Sequence, residues 1–324
     1  ALQHEPFQVL HRRSLGMCAA FIKEIEAESG IKIPFSRCGL LKLLHAEVNY
    51  KNALAEMAAA PAWSTRGLEC TLELLDPRQI KEFEPEVATP AWGALFDPSV
   101  SVVDVQALLN GLTLACFHRK VRIESGAEAV AFEFQGSRLS AIRHRHGRLS
   151  CDKLLICAGA WVSGLHPLLE HYAMVIPVRG QALEVYCDTK ARAPKHIVKS
   201  QRAYVVPKTT GLLALGSTTE LESGYNTNNT YGGLQEVWKK VTKSVPALKP
   251  LKILRYWAGL RPAGADRKLY LGLVPQTENM FVAAGHYKIG FGFAPLTAQV
   301  LAEEMTNGNL SFDIGFLRPR RYQA

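Results

Sequence analysis

Residues 153–158, Lys-Leu-Leu-Ile-Cys-Ala, form a short apolar run that breaks at Gly159-Ala160-Trp161. A strand that is apolar throughout and followed by small residues suits the inside of a mostly parallel sheet covered on both faces. Parallel strands are joined by crossovers, usually helical, so this run points to an α/β architecture. Glycine at the carboxyl end of such a strand permits close backbone approach, and ligands of open α/β sheets bind at that end. A tight strand-to-helix turn would leave the same pattern.

The rest of the chain supplies the alternation. Apolar spacing predicts helices over 10–28, stopped by Ser29-Gly30, over 48–59, stopped at Pro61, over 104–119 and 233–244, and over 295–305, closed by Asn307-Gly308. Asp76 and Pro77 read as the N-cap and first position of another short helix. Strands are expected over 37–44, 91–98, 121–124, 128–135 and 138–145, with Gly136-Ser137 as a hairpin turn. The texture changes after residue 175. Strands over 178–186, 203–207, 212–217, 252–261, 269–272 and 279–283 suggest an antiparallel sheet that covers a site and is inserted into a nucleotide-binding core.

Bulk properties exclude several classes. The 324 residues are 48% hydrophobic and 21% charged, ordinary for a globular enzyme of one large or two intermixed domains. No run of eighteen apolar residues would span a membrane, and the polar start is no signal peptide. The start at Ala1 rather than Met hints at an upstream segment. Seven cysteines without zinc or redox spacing read as reduced, buried thiols of a cytoplasmic protein, and no metal site is expected. The net charge of +9 is scattered, densest at 143–148 and 318–321, and reads as solvated surface rather than a nucleic-acid stripe.

Two further stretches combine glycine with charge or aromatics. In Tyr256-Trp257-Ala258-Gly259-Leu260-Arg261, an arginine ends an apolar strand. Its fork fits a carboxylate ligand, or equally an ion pair with Asp266 in the next loop. In residues 284–292, AGHYKIGFG, glycines frame a His-Tyr-Lys triplet just before a helix, which makes either an anion- or cofactor-contacting loop or a flexible turn.

Taken together, RGQALEV, AYVVPKTTGLLALGSTTE, YWAGLRPAGADRKLYLG and FVAAGHYKIGFGFAPLTAQVLAEEM resemble the glycine oxidase branch of the D-amino-acid oxidase family, over about residues 22–305. The resemblance implies FAD, oxidative deamination of a small amine such as glycine, sarcosine or a D-amino acid, and oxygen or another electron acceptor. It implies an FAD-binding, Rossmann-like domain from 1–30, 98–170 and 262–324, and a substrate domain with a large mixed sheet from 31–97 and 171–261. It places Arg261 and Tyr204 on the substrate carboxylate. It places Val130 beside the adenine, and Ala158, Gly159, Trp161, Gly285, His286, Gly290 and Phe291 around the cofactor.

Two departures stand out. The family loop G-H-[FY]-R-N-G has Lys288 for its arginine, which keeps the charge but loses the fork, and Ile289 for its asparagine. No G-x-G-x-x-G follows a strand and opens a helix anywhere in the chain. The expectation is a Rossmann-like domain missing its first βαβ unit, with FAD weakly bound or absent. Other readings are an acceptor-linked amino-acid dehydrogenase, a tRNA-modifying FAD oxidase domain and a non-catalytic chain. The sequence admits a homo-oligomer.

Overall fold

The computed structural model describes residues 5–64, 69–187, 193–200 and 203–319. Helix α1 (Glu5–Ser29) starts earlier than its periodicity suggests and buries Phe7, Leu10, Ile22 and Ile25 along one stripe. The strand expected over 37–44 is broken at Cys38-Gly39 into β1 (Phe35–Arg37) and β2 (Leu40–Leu43), which belong to different sheets. Next come α2 (Glu47–Ala59), a 3-10 turn at Ala60–Trp63 and β3 (Glu73–Leu75). Helix α3 (Pro77–Phe83) has a full capping box. Asp76 accepts the Arg78 and Gln79 N–H groups, and the Gln79 side chain accepts from Asp76 N.

Strands β4 (Ala94–Asp97) and β5 (Ser101–Val103) lead into α4 (Val105–His118), capped by the Asp104 carboxylate. Residues 121–124 are not a strand. No strand pairs with them among the described residues, and Val121 and Ile123 are exposed. Strands β6 (Ala129–Gln135) and β7 (Arg138–His144) form the expected hairpin, and β8 (Gly147–Ser150) extends it, leaving Arg145, His146 and Arg148 exposed. Arg320 and Arg321 of the basic tail lie outside the described residues.

Strand β9 (Leu154–Ile156) is the apolar run of the opening argument, and it is followed by a 3-10 helix at Gly159–Leu165 and by α5 (Pro167–Tyr172). The remaining elements are β10 (Val175–Tyr186), β11 (Ile197–Ser200), β12 (Ala203–Pro207), β13 (Leu212–Gly216), α6 (Tyr231–Ser244), β14 (Ile253–Gly264), β15 (Tyr270–Leu273), β16 (Met280–Ala284) and α7 (Gly290–Thr306). Helix α7 begins five residues before Pro295, which falls inside it. The sequence placed proline at the first helical position, but near a helix start the bond lost at Pro295 costs little.

The large sheet has eight strands in the order β14-β10-β13-β12-β11-β2-β4-β3 and is mixed, because β2 runs parallel to β11. One face buries Leu183, Val185, Val205, Leu213 and Leu215 against Val237 and Val241 of α6. The opposite face is more open and carries the charged residues. A three-stranded sheet, β15-β16-β9, packs Ile156, Val282 and Ala284 on one side and Leu271, Ala283 and α7 on the other. Within it only β16 and β9 are parallel, so the mostly parallel core is represented by a single pair. No helix among the described residues is long and apolar enough to cross a membrane.

Candidate active site

The site begins where β9 ends. Gly159 has φ 56°, a value side chains rarely adopt, and the space a Cβ would occupy is open. Across from it lies the loop between β16 and α7. Gly285, at φ 78°, lets that loop pass Lys268 O, which a Cβ would meet at 2.9 Å. The loop is pinned to β14 by Tyr287 N–H donating to Pro262 O at 2.8 Å. Gly159, Pro262, Ala284, His286, Gly290, Ala294 and Thr297 line a largely apolar groove of about 520 Å³. Helix α7 starts at Gly290, on the groove lining, without a side-chain cap at Ile289.

His286 pairs through Nε2 with Thr297 Oγ1 at 3.0 Å, in the second turn of α7, rather than capping its first. Burial pushes its pKa down from 6.5 to about 4, so the ring is neutral near pH 7. Phe291 is exposed and lines a neighbouring cavity of about 380 Å³ with His11 and Leu15 of α1. Trp161 stacks on Tyr225 beside the groove, with centroids 6.0 Å apart. Ala158 packs against the core of the three-stranded sheet. Val130 is exposed on β6, away from the groove lining.

The second half of the site is on the open face of the eight-stranded sheet. Arg261 lies over Gly180 of β10, where a Cβ would come within 2.2 Å of its guanidinium. It donates to Ser217 Oγ at 2.5 Å and to Thr218 O at 3.2 Å. Among the described residues no carboxylate pairs with it, and Asp266 instead accepts from Lys268 N at 3.0 Å. Tyr204 lies over Gly216 in the same manner, its ring 2.4 Å from where a Cβ would stand. Lys288 donates to Thr219 Oγ1 at 3.3 Å and sits over the Tyr287 ring. That contact joins the groove loop to the sheet face.

The turn at 217–219 was not singled out in the sequence, yet Arg261 and Lys288 both bond it. It is held from below. Gln181 N–H donates to Thr218 Oγ1 at 2.9 Å, and Thr218 in turn bonds Glu220. Glu220 is clamped by Arg179 at 2.5 Å. Burial opposes charge on Glu220, but the bonds from Thr218, Gln181 and Arg179 outweigh it and hold its pKa below the usual carboxylate value.

The family described as DAO, FAD dependent oxidoreductase, matches residues 4–304. This chain belongs to that family. It is 25% identical over 315 residues to the glycine oxidase of Geobacillus kaustophilus, covering 95% of this chain and 80% of that protein. It is also 25% identical over 305 residues to the bifunctional protein ThiO/ThiG of Synechocystis sp., covering 93% of this chain but only 43% of that protein. The crystal structure of glycine oxidase from Geobacillus kaustophilus shares the fold. The TM-score is 0.91 at 23% identity, over 100% of this chain and 85% of that one.

The members of this FAD-dependent family need a site for the cofactor, and the groove suits its ring end. Gly159 offers open backbone, Gly290 is met only by His286 Cβ at 3.5 Å, and the lining is mainly apolar. The 324 residues hold no Gly-x-Gly-x-x-Gly loop, the usual seat of a dinucleotide pyrophosphate. Among the described residues no group of three or more His, Cys, Asp or Glu is placed to hold a metal. The cysteines are free, but only Cys70 and Cys187 are buried as expected; Cys18, Cys38, Cys116 and Cys151 are half-buried, and Cys157, just after β9 on the groove lining, is exposed.

Proposed function

We propose that this chain carries the carboxylate-binding and flavin-facing parts of an oxidase of small amines or amino acids, such as glycine, sarcosine or a D-amino acid. The observation that carries this reading is Arg261, a half-buried cation that meets only neutral oxygens among the described residues. A guanidinium held by two acceptors keeps further N–H donors free for a carboxylate. The division follows the sequence reading, with 31–97 and 171–261 for the substrate and the remainder for the cofactor.

The roles follow from position. Ser217 Oγ and Thr218 O fix the plane of the Arg261 fork above Gly180. The Tyr204 hydroxyl, over Gly216, offers a further donor to the same carboxylate. Arg261 and Lys288 disfavour an ammonium group nearby, so the substrate amine is held in its neutral, oxidisable form. His286 is a poor base, because its ring is neutral far below pH 7 and already bonds Thr297. The chain's contribution is therefore orientation and field rather than proton abstraction. FAD, when bound, supplies the acceptor for the substrate's Cα hydride. The imine product hydrolyses in water, and oxygen or another acceptor takes the electrons.

Arg261→Leu tests this in FAD-supplemented protein assayed with a panel of carboxylate-bearing amines. Losing a charge-assisted pair costs on the order of 2–4 kcal/mol, roughly a 30- to 700-fold rise in KM. An unchanged KM removes Arg261 from the site.

A further inference from the structure

The outer edge of β14 is taken up at one end only. There the loop after β16 lies along it, with Ala263 bridged to His286 and Tyr287 N–H donating to Pro262 O at 2.8 Å. β14 is the last strand of the eight, and among the described residues no strand pairs its outer edge from Ile253 to Gly259. The Pro262 carbonyl points outward. By the two-residue alternation of an antiparallel strand, the N–H and C=O groups of Leu260, Ala258 and Tyr256 point outward too.

The side chains along that stretch are open and mainly apolar. Ile253 is 48% exposed, Leu254 57%, Tyr256 61% and Trp257 39%. Sheet edges are ordinarily kept short, or blunted by lysine or proline. This strand has twelve residues, and from Ile253 to Leu260 it holds neither. Its one charge there turns inward, because Arg255 bonds Glu184 of β10 at 2.6 Å and lies over the Trp257 ring. Gly259 is exposed, and no neighbouring atom lies within 4 Å of where a Cβ would stand.

We infer that this edge pairs with the same edge of a second copy of the chain, antiparallel about a two-fold axis at Tyr256, so that two large sheets join into one. A two-fold contact needs a surface that fits itself, and the run does so in this register. Tyr256 meets the partner's Tyr256, and their outward N–H and C=O groups exchange two hydrogen bonds. Arg255 then stands opposite the partner's Trp257, and Ile253 opposite the partner's Gly259, so no like charges face each other. A pairing centred on Arg255 would set two cations opposite. Side chains of this size present about 150–250 Å² when fully open, so the four offer roughly 400 Å² at their exposures. With Arg255 and the backbone edge added, two copies bury about 1,000–1,200 Å² in total, the low end for a specific contact. The dimer should therefore be of micromolar strength. It does not depend on the carboxylate role given to Arg261.

Sedimentation velocity and light scattering of the 324-residue chain over a concentration series test the pairing. The protein should be mostly dimer at about 100 µM and mostly monomer at about 0.1 µM, as a micromolar Kd requires. Tyr256→Lys sets two cations at the axis and should leave monomer throughout. Ala258→Pro removes one outward N–H but leaves the strand's bonds to β10 and the exposed side chains in place, and it should weaken the dimer roughly tenfold or more. Tyr256→Phe should change nothing. Circular dichroism and urea midpoints matching wild type show that the variants fold, and where one fails that check the other decides. A wild-type monomer at about 100 µM overturns the inference. So does a dimer that either folded variant keeps at full strength, since survival of Ala258→Pro would mean contact through side chains and not through the strand edge.

Discussion

At the scale of single residues, two glycines decide where the site's long side chains can lie. Gly180 leaves room for the Arg261 guanidinium and Gly216 for the Tyr204 ring, and a methyl group at either position would overlap them. Arg261 and Tyr204 were legible in the sequence only through the motifs around them, because an arginine ending a strand reads equally as half of an ion pair. Their glycine seats and the 217–219 turn were not legible. They matter through contacts between strands far apart in the chain, and local sequence does not carry that information. Gly180→Ala is the sharper test. Its φ lies outside the left-handed region, so alanine is tolerated by the backbone, and the atom it displaces is the tip of a flexible side chain. Chemical denaturation should shift by no more than about 1 kcal/mol. KM for a carboxylate-bearing amine should rise by roughly 10- to 100-fold, the cost of about 1.5–3 kcal/mol for displaced bonds to a charged group. A variant that is destabilised but keeps its KM would show that Gly180 serves packing alone.

At the scale of elements, punctuation decided which boundaries could be read. Asp76-Pro77, Asp104 and Gly136-Ser137 each set a helix start or a turn where the residue chemistry demands it, and the structure places them there. Strand β11 was missed because its four residues show no pattern until β2 and β12 pair with them. The start of α7 was missed because Gly290 and Gly292 look like loop residues. Contacts with α1 hold that first turn. His11 stacks on Phe293 at 5.2 Å with rings nearly parallel, and Ser14 Oγ accepts from Leu296 N. Burial, and then the neighbouring Arg12, push the His11 pKa down to about 4, as burial alone does for His286 at the other side of α7. Both folded values lie below the unfolded value of 6.5. Stability is therefore complete above pH 6.5 and falls as the pH drops toward 4, because only the unfolded chain takes up the protons. Each histidine accounts for roughly 2–3 kcal/mol over that window. Urea midpoints at pH 7 and pH 4.5 should show the loss, and His11→Phe, which keeps the ring stack, should remove about half of it. An equal acid sensitivity in the variant would place the effect elsewhere.

At the scale of the whole molecule, the two halves of the proposed site differ in what lines them. The proposed substrate face has the Arg261 cation, Tyr204 and the braced turn at 217–219. On the cofactor side, β9 pairs with β16 along one edge, and among the described residues no strand pairs the other. Leu155 and Cys157 line the groove beneath α7, so apolar surface is left beside that edge. The pyrophosphate is the most strongly charged part of the cofactor, and glycine-rich loops at helix starts bind it through clustered N–H groups. No Gly-x-Gly-x-x-Gly lies in these 324 residues. Contacts to the ring alone leave an affinity on the order of micromolar or weaker, too weak to survive purification. The 324-residue protein should thus elute from gel filtration colourless and regain flavin absorbance only in excess FAD. Placing a βαβ unit with the glycine-rich loop ahead of Ala1 should give a yellow protein that keeps its cofactor. If the 324 residues alone retain stoichiometric FAD through the column, the phosphates must be held by groups other than a glycine-rich loop. The exposed cations of the open face would then be the first place to look.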